Sequence, residues 1–201
     1  MDSNRVADLP RDLEIVESMV ADLKPYLLGG ALYGVMSERG PGRQPYPPLT
    51  VGGLLLRLHR MGALRDQLSP DERSRLGEAQ ARADEELSRW RTQTEEKVGR
   101  EVAARLHAWT EFLNECDRDY ARYVIEYPTQ VEARTIIALL LDFAGKALDE
   151  RGLLARLQLA DQLLREMAGE CPFVWSDDLA PAYPQERFWW LYVCPQPEEA
   201  R

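Results

Sequence analysis

The sequence predicts a mainly α fold: a bundle of about five helices, one of them long and partly coiled-coil-like, with a small aromatic-rich β element at the C-terminus. Three observations carry this. Apolar residues recur at helical spacing through most of the first 168 positions. Two capping boxes, Ser69-Pro70-Asp71-Glu72 and Thr129-Gln130-Val131-Glu132, mark helix starts. Beyond Gly169 the helical spacing stops and aromatic residues crowd together. The expected division is a helical bundle over 1–168 and an aromatic hairpin or tail over 169–201, packed on that bundle.

Residues 9–24 place Ile15, Val16, Met19, Val20 and Leu23 on one helical face. Pro10 suits the first turn, and Pro25 is expected to end or kink the helix. Leu27 to Val35 is apolar and glycine-rich, and fits helix and strand equally. Residues 37–48 hold four prolines and two glycines and read as a loop. Thr50 is placed to cap a helix over 50–67, with Leu54, Leu55, Leu58, Met61 and Leu64 on its apolar side.

From Ser69 the pattern is long. Leu76, Ala83, Leu87, Trp90, Val98, Val102, Leu106, Trp109, Leu113, Cys116, Tyr120 and Tyr123 advance in helical steps. A continuous helix over about 70–126 would extend roughly 75 Å, and Gly99 is its expected break. Charges surround the seam, with acid-to-base pairs four residues apart at Asp71/Arg75, Glu78/Arg82, Glu85/Arg89, Glu96/Arg100 and Glu101/Arg105. The second box opens a helix through Ile136, Ile137, Leu139, Leu140, Leu141 and Phe143, apolar on nearly all sides and therefore central. Gly152 interrupts, and Leu153, Leu157, Ala160, Leu164 and Met167 resume. Phe173 to Trp175 and Phe188 to Val193 read as two short strands or extended segments.

Acids outnumber bases 34 to 25, for a formal net charge of −9. That argues against a general nucleic-acid or anionic-membrane binder, which needs a basic surface. Three cysteines exclude a disulfide-rich scaffold and fit a reducing compartment; Cys116, Cys171 and Cys194 read most simply as buried or incidental thiols, with a meeting of Cys171 and Cys194 across the hairpin as the alternative. No basic stretch leads into an apolar run near Met1, and the apolar clusters fall short of the ~20 residues that span a bilayer. The expectation is a cytoplasmic protein.

Catalytic signatures are scarce. The sequence holds no phosphate-binding glycine loop, nucleophile elbow, H-E-x-x-H or C-x-x-C, and no catalytic residue, cofactor or metal is assigned. His107, Glu111, Glu115 and Asp119 form one polar stripe. A shared metal ion would need ligands from further helices, and Ala104 stands where a Glu-x-x-His pair would put its glutamate. Glu14 and Glu17 form an E-x-x-E, but the following helix offers only Asp66 as a partner carboxylate.

The least ordinary segment is the tail. Phe173, Trp175, Phe188, Trp189, Trp190 and Tyr192 are the candidate partner-binding residues, because large aromatics dominate interface energetics. In a strand, Trp189 and Trp190 would point to opposite faces. Residues 170–201 carry Glu170, Asp177, Asp178, Glu186, Glu198 and Glu199 against Arg187 and Arg201, so a partner with a basic rim and an apolar centre is expected. The leading functional expectation is a non-catalytic interaction protein, an adaptor, scaffold or assembly subunit. It would use the charged helix and the aromatic tail to bind a protein partner or itself, not nucleic acid or membrane. A metal-dependent helical-bundle enzyme using His107, Glu111 and Glu115, and a small-ligand sensor with a pocket beside the tail, are the rivals.

Overall fold

A computed structural model describes residues 7–36, 45–145 and 152–197. Its chain is mainly helical with a small two-stranded antiparallel sheet near the C-terminus. It divides into two compact units, one of residues 8–101 and one of residues 1–7 with 102–201. Each is described in turn.

In the 8–101 unit, α1 covers Leu9–Leu28, α2 Val51–Ala63 and α3 Pro70–Arg89, followed by the first part of α4, Arg91–Arg118. Asp8 caps α1 by accepting from the Arg11 amide, with proline in the first turn. Pro25 lies inside the last turn rather than ending the helix, which closes at Gly29. Thr50 caps α2 as its sequence implies, and a 3-10 turn over Arg65–Gln67 follows. The Ser69 box is formed in both directions: the hydroxyl accepts from the Glu72 amide, and the Glu72 carboxylate accepts from the Ser69 amide. The Ser69 hydroxyl also donates to the Glu72 carboxylate at 2.7 Å, and this bond together with that from the Ser69 amide holds the Glu72 carboxyl below its ordinary range.

The α3 seam of Leu76, Ala79, Ala83 and Leu87 is buried, and α3 packs along α1, as does α2. A burial of about 25 cal/mol per Å² of apolar surface makes such a seam the main reason α1–α3 hold together. Arg75 reinforces it with two parallel bonds to Glu17, 2.9 and 2.8 Å, so half of the E-x-x-E is engaged in tying α1 to α3. The segment Leu27 to Val35 resolves into the end of α1 and an irregular stretch. Gly34 there makes a single two-bond bridge with Leu49. A side chain at Gly34 would stand 2.8 Å from the Tyr26 ring, so this close approach requires glycine. Of the expected 37–48 loop, 37–44 lies outside the described residues and 45–48 is irregular.

The long helix is not continuous. Helix α3 ends at Arg89, Trp90 leaves helical geometry with φ −106° and ψ 43°, and α4 starts at Arg91. Gly99, the expected break, sits inside α4. The interruption is satisfied locally: the Thr94 hydroxyl donates to the Leu87 carbonyl, and the Trp90 indole N–H donates to the Glu86 carboxylate. A second interruption follows Arg118, where Asp119 caps a one-turn helix α5, Tyr120–Tyr123. Pieces of 20, 28 and 4 residues therefore replace the single rod.

In the 102–201 unit, a 3-10 turn over Val124–Glu126 leads into α6, Tyr127–Ala144. The second sequence box is not used: Pro128 takes the first turn and Thr129 is already helical, because proline at that position suits an earlier start. Eight of the 18 residues of α6 are buried, including Val131, Ile136, Ile137 and Leu140, so it has one buried side, and Phe143 lies exposed on the other. Gly152, in the left-handed region at φ 64°, opens α7, Leu153–Met167. The strands are β1, Ala168–Glu170, and β2, Val193–Pro195, paired with Gly169 opposite Cys194. Trp189–Leu191 forms a 3-10 turn, not the expected strand. No helix among the described residues is long and apolar enough to cross a membrane.

Candidate functional site

The tail leaves α7 through β1 and returns through β2, and its aromatic residues sort into two groups. Trp175, Phe188 and Trp190 are buried, whereas Phe173, Trp189 and Tyr192 are half-buried. The buried group forms a chain of edge-on rings through Tyr183: Trp175 to Tyr183 at 5.1 Å, Tyr183 to Phe188 at 5.1 Å, Phe188 to Trp190 at 5.7 Å. Edge-to-face contacts at such distances add about 0.5–1.5 kcal/mol each beyond area burial.

Helix α6 holds this chain from below by polar contacts. The Trp175 indole donates to the Pro128 carbonyl at 2.8 Å, and the Tyr127 hydroxyl donates to the Trp190 carbonyl at 2.7 Å. The Trp190 indole donates to the Thr135 hydroxyl at 3.0 Å. Burial pushes the Tyr127 phenol well above its ordinary range, which keeps it a neutral donor. Over the Trp190 ring lies the Arg134 guanidinium, 3.6 Å from the centroid, and its two donors meet Asp161 of α7 at 2.7 and 2.9 Å. One arginine thus joins α6, α7 and the tail through a bidentate ion pair and a cation–π stack.

The half-buried group faces outward around this anchor. Phe173 and Tyr192 contact each other at 5.2 Å, beside the disulfide that links Cys171 to Cys194. Arg165 of α7 lies 4.1 Å from the Trp189 ring centroid, and Arg187 pairs with Asp142 of α6. Burial and the Glu186 carboxylate raise the Tyr192 phenol. Because a 3-10 turn advances by about 120° per residue instead of alternating, Trp189 and Trp190 diverge without lying on opposite strand faces.

His107 and Glu111 are exposed and Glu115 is half-buried on α4. Among the described residues no three His, Cys, Asp or Glu side chains converge into a group able to hold a metal ion.

The 8–101 unit contains two features that the sequence reading passed over. The first is a buried charged cluster. Asp12 stands 3.2 Å from Arg60 and 3.5 Å from Arg57, and all three are buried. Arg57 also donates to the Gly53 carbonyl. Burial outweighs the attraction of Arg60 and Arg57 and raises the Asp12 carboxyl. Close by in sequence, the buried Glu101 carboxylate accepts from the Gly52 amide at 2.9 Å, so the N-terminus of α2 carries an anion supplied by its own chain. The only sequence signal for this cluster is that Arg57 and Arg60 lie within a helix whose other residues, His59 apart, are apolar.

The second feature is a cavity of about 390 Å³ lined by Asp22, Pro25, Tyr26, Ala31, Gly34 and Val35. Its wall is braced by side chains: the Tyr26 hydroxyl donates to the Leu32 carbonyl, Arg100 to that of Gly30, and the Lys97 ammonium to that of Ala31. Lys97 also lies 4.3 Å from the Tyr26 ring centroid, and burial lowers its pKa. Of the lining carbonyls, those of Gly30 and Ala31 are engaged by these two cations, and the opening is mainly apolar with one carboxylate, Asp22.

Comparison with known proteins finds no matching family model, no matching curated protein and no matching solved structure.

Proposed function

We propose that this chain is a non-catalytic protein-binding protein, an adaptor, scaffold or assembly subunit acting in the cytoplasm. Its docking surface is the outer side of the C-terminal aromatic segment. The observation that carries the reading is the sorting of the tail: Trp175, Phe188 and Trp190 are buried on α6, while Phe173, Trp189 and Tyr192 remain half-exposed on that rigid base. Pre-ordered aromatic side chains lose little freedom on binding and so make effective interface anchors. The surrounding segment is acidic, with Asp177, Asp178 and Glu186 exposed. A protein surface with an apolar centre and a basic rim, or a second copy presenting such a rim, is the fitting partner.

The test is affinity purification from the native source with the wild type and a Phe173→Ala/Trp189→Ala/Tyr192→Ala variant, alongside light scattering. The expected result is a retained protein, or a dimer, that the variant loses while its helical circular dichroism stays intact. A monomer that retains the same set of proteins with and without the three rings would overturn the reading.

A further inference from the structure

We propose that Cys171 and Cys194 form a redox-operated clasp that orders the Phe173–Tyr192 end of the tail, so that the docking surface is assembled when the pair is oxidised and loosened when it is reduced. This rests on the binding reading above and names its regulation.

The argument is one of placement. The sheet has two strands of three residues each, a size that is marginal without further support. Cys171 follows β1 directly and Cys194 lies in the middle of β2, so their bond closes the loop that carries every tail aromatic. The two ends of that loop differ in how they are held. Trp175 and Trp190 are fixed by hydrogen bonds to α6 that do not involve the cysteines. Phe173 and Tyr192 have no such bond to α6. Each stands two residues from a cysteine, and their segment is tied by the Cys171 amide to the Tyr192 carbonyl, at 3.2 Å. The Tyr192 hydroxyl bonds within the tail, to the Tyr183 carbonyl. A second backbone bond, from the Val174 amide to the Leu191 carbonyl at 3.0 Å, lies at the same end. Opening the disulfide removes the one covalent tie there, leaves the exposed pair to these two backbone bonds and ring contacts, and leaves the buried anchor in place.

Both cysteines are half-buried, within reach of a small thiol, whereas Cys116 is buried and outside the disulfide. In a cytoplasmic setting disulfides are transient and redox-sensing rather than permanent. For reduction, a dithiol thiolate attacks one sulfur and releases the other as a thiolate. The second dithiol sulfur then displaces the protein from the mixed disulfide. Two electrons and two protons pass from the dithiol to the protein, leaving two cysteine thiols and one cyclic small disulfide. Re-oxidation uses a low-molecular-weight disulfide as the electron acceptor.

Amide hydrogen exchange on the whole chain, with and without dithiothreitol, tests the clasp without any partner. Reduction is expected to speed exchange of the Cys171 and Val174 amides by at least about tenfold while the Ile136 and Ile137 amides of α6 are unchanged. A Cys171→Ser/Cys194→Ser variant should behave as the reduced protein and ignore dithiothreitol. Exchange that differs by less than about twofold between the two states overturns the proposal. So does titration of three free thiols in air-oxidised, denatured protein, where one is expected. If the clasp responds but the three-ring variant keeps its partner, the binding reading alone fails.

Discussion

The two units each bury an arginine–aspartate contact, and the contacts differ in kind. In the 102–201 unit, Arg134 and Asp161 form two parallel bonds at 2.7 and 2.9 Å, and the guanidinium face rests on Trp190. In the 8–101 unit, Asp12 is shared between two arginines at 3.2 and 3.5 Å, with no bidentate fork. Burial costs both sets of charges their hydration, which in protein interiors amounts to several kcal/mol per ion. Only the first has the geometry that offsets it well. The raised Asp12 carboxyl is the visible sign of the difference, since the charged form there is disfavoured despite two neighbouring cations. A buried pair is thus informative about stability only when its geometry is read with it.

The sharpest way to break this comparison is to remove one partner of the good pair. Arg134→Met strands Asp161 and strips Trp190 of its stack, and should cost about 3–5 kcal/mol in urea unfolding. A loss below about 1 kcal/mol would mean that the fork contributes no more than a surface pair. The opposite result is expected in the other unit. Replacing the whole cluster by apolar residues, Asp12→Leu/Arg57→Met/Arg60→Met, should be neutral or stabilise by about 1–4 kcal/mol. Collapse of that variant would show that the cluster holds α1 to α2 by specific bonding.

A pH series separates the same cases more finely. With its folded pKa raised above the unfolded value, Asp12 contributes most to stability at low pH, and that contribution is lost as the pH rises through its folded pKa. Wild type should therefore lose stability relative to Asp12→Asn on going from about pH 4 towards neutrality, with a slope no steeper than about 1.4 kcal/mol per pH unit. A slope of the other sign would mean that the arginines, not burial, govern Asp12. The smallest effect is expected at the surface: Ser69→Ala removes one arm of the α3 capping box and should cost about 1 kcal/mol.

Local signals in the sequence translated well and non-local ones did not. Thr50, Ser69 and Gly152 stand at helix starts because capping and left-handed geometry depend on a few neighbouring atoms. The break at Trp90 was not legible, since tryptophan is no helix breaker and the helical spacing from Leu87 to Val98 continues across it, with Thr94 as its one polar member. Thr129 offered a false start because Pro128 permits the helix to begin at Tyr127. The aromatic crowding of the tail was legible, but not which rings stay exposed, because that depends on where the 3-10 turn at Trp189 aims each side chain. Glu101 reads as one of the charges around the seam, and Asp12, Arg57 and Arg60 carry no reading; packing shows that all four are buried.

The Trp90 junction has a consequence for chain length. Helices α3 and α4 are joined by one residue, with no loop to absorb a change. Each residue inserted there would turn the start of α4 by about 100° about its axis. Thr94, Lys97, Val98 and Glu101, all buried, would then swing together off their partners, and Lys97 would leave the Ala31 carbonyl as Glu101 left the Gly52 amide. The point is therefore intolerant of insertion: what it stores is a rotational phase, which one extra residue resets.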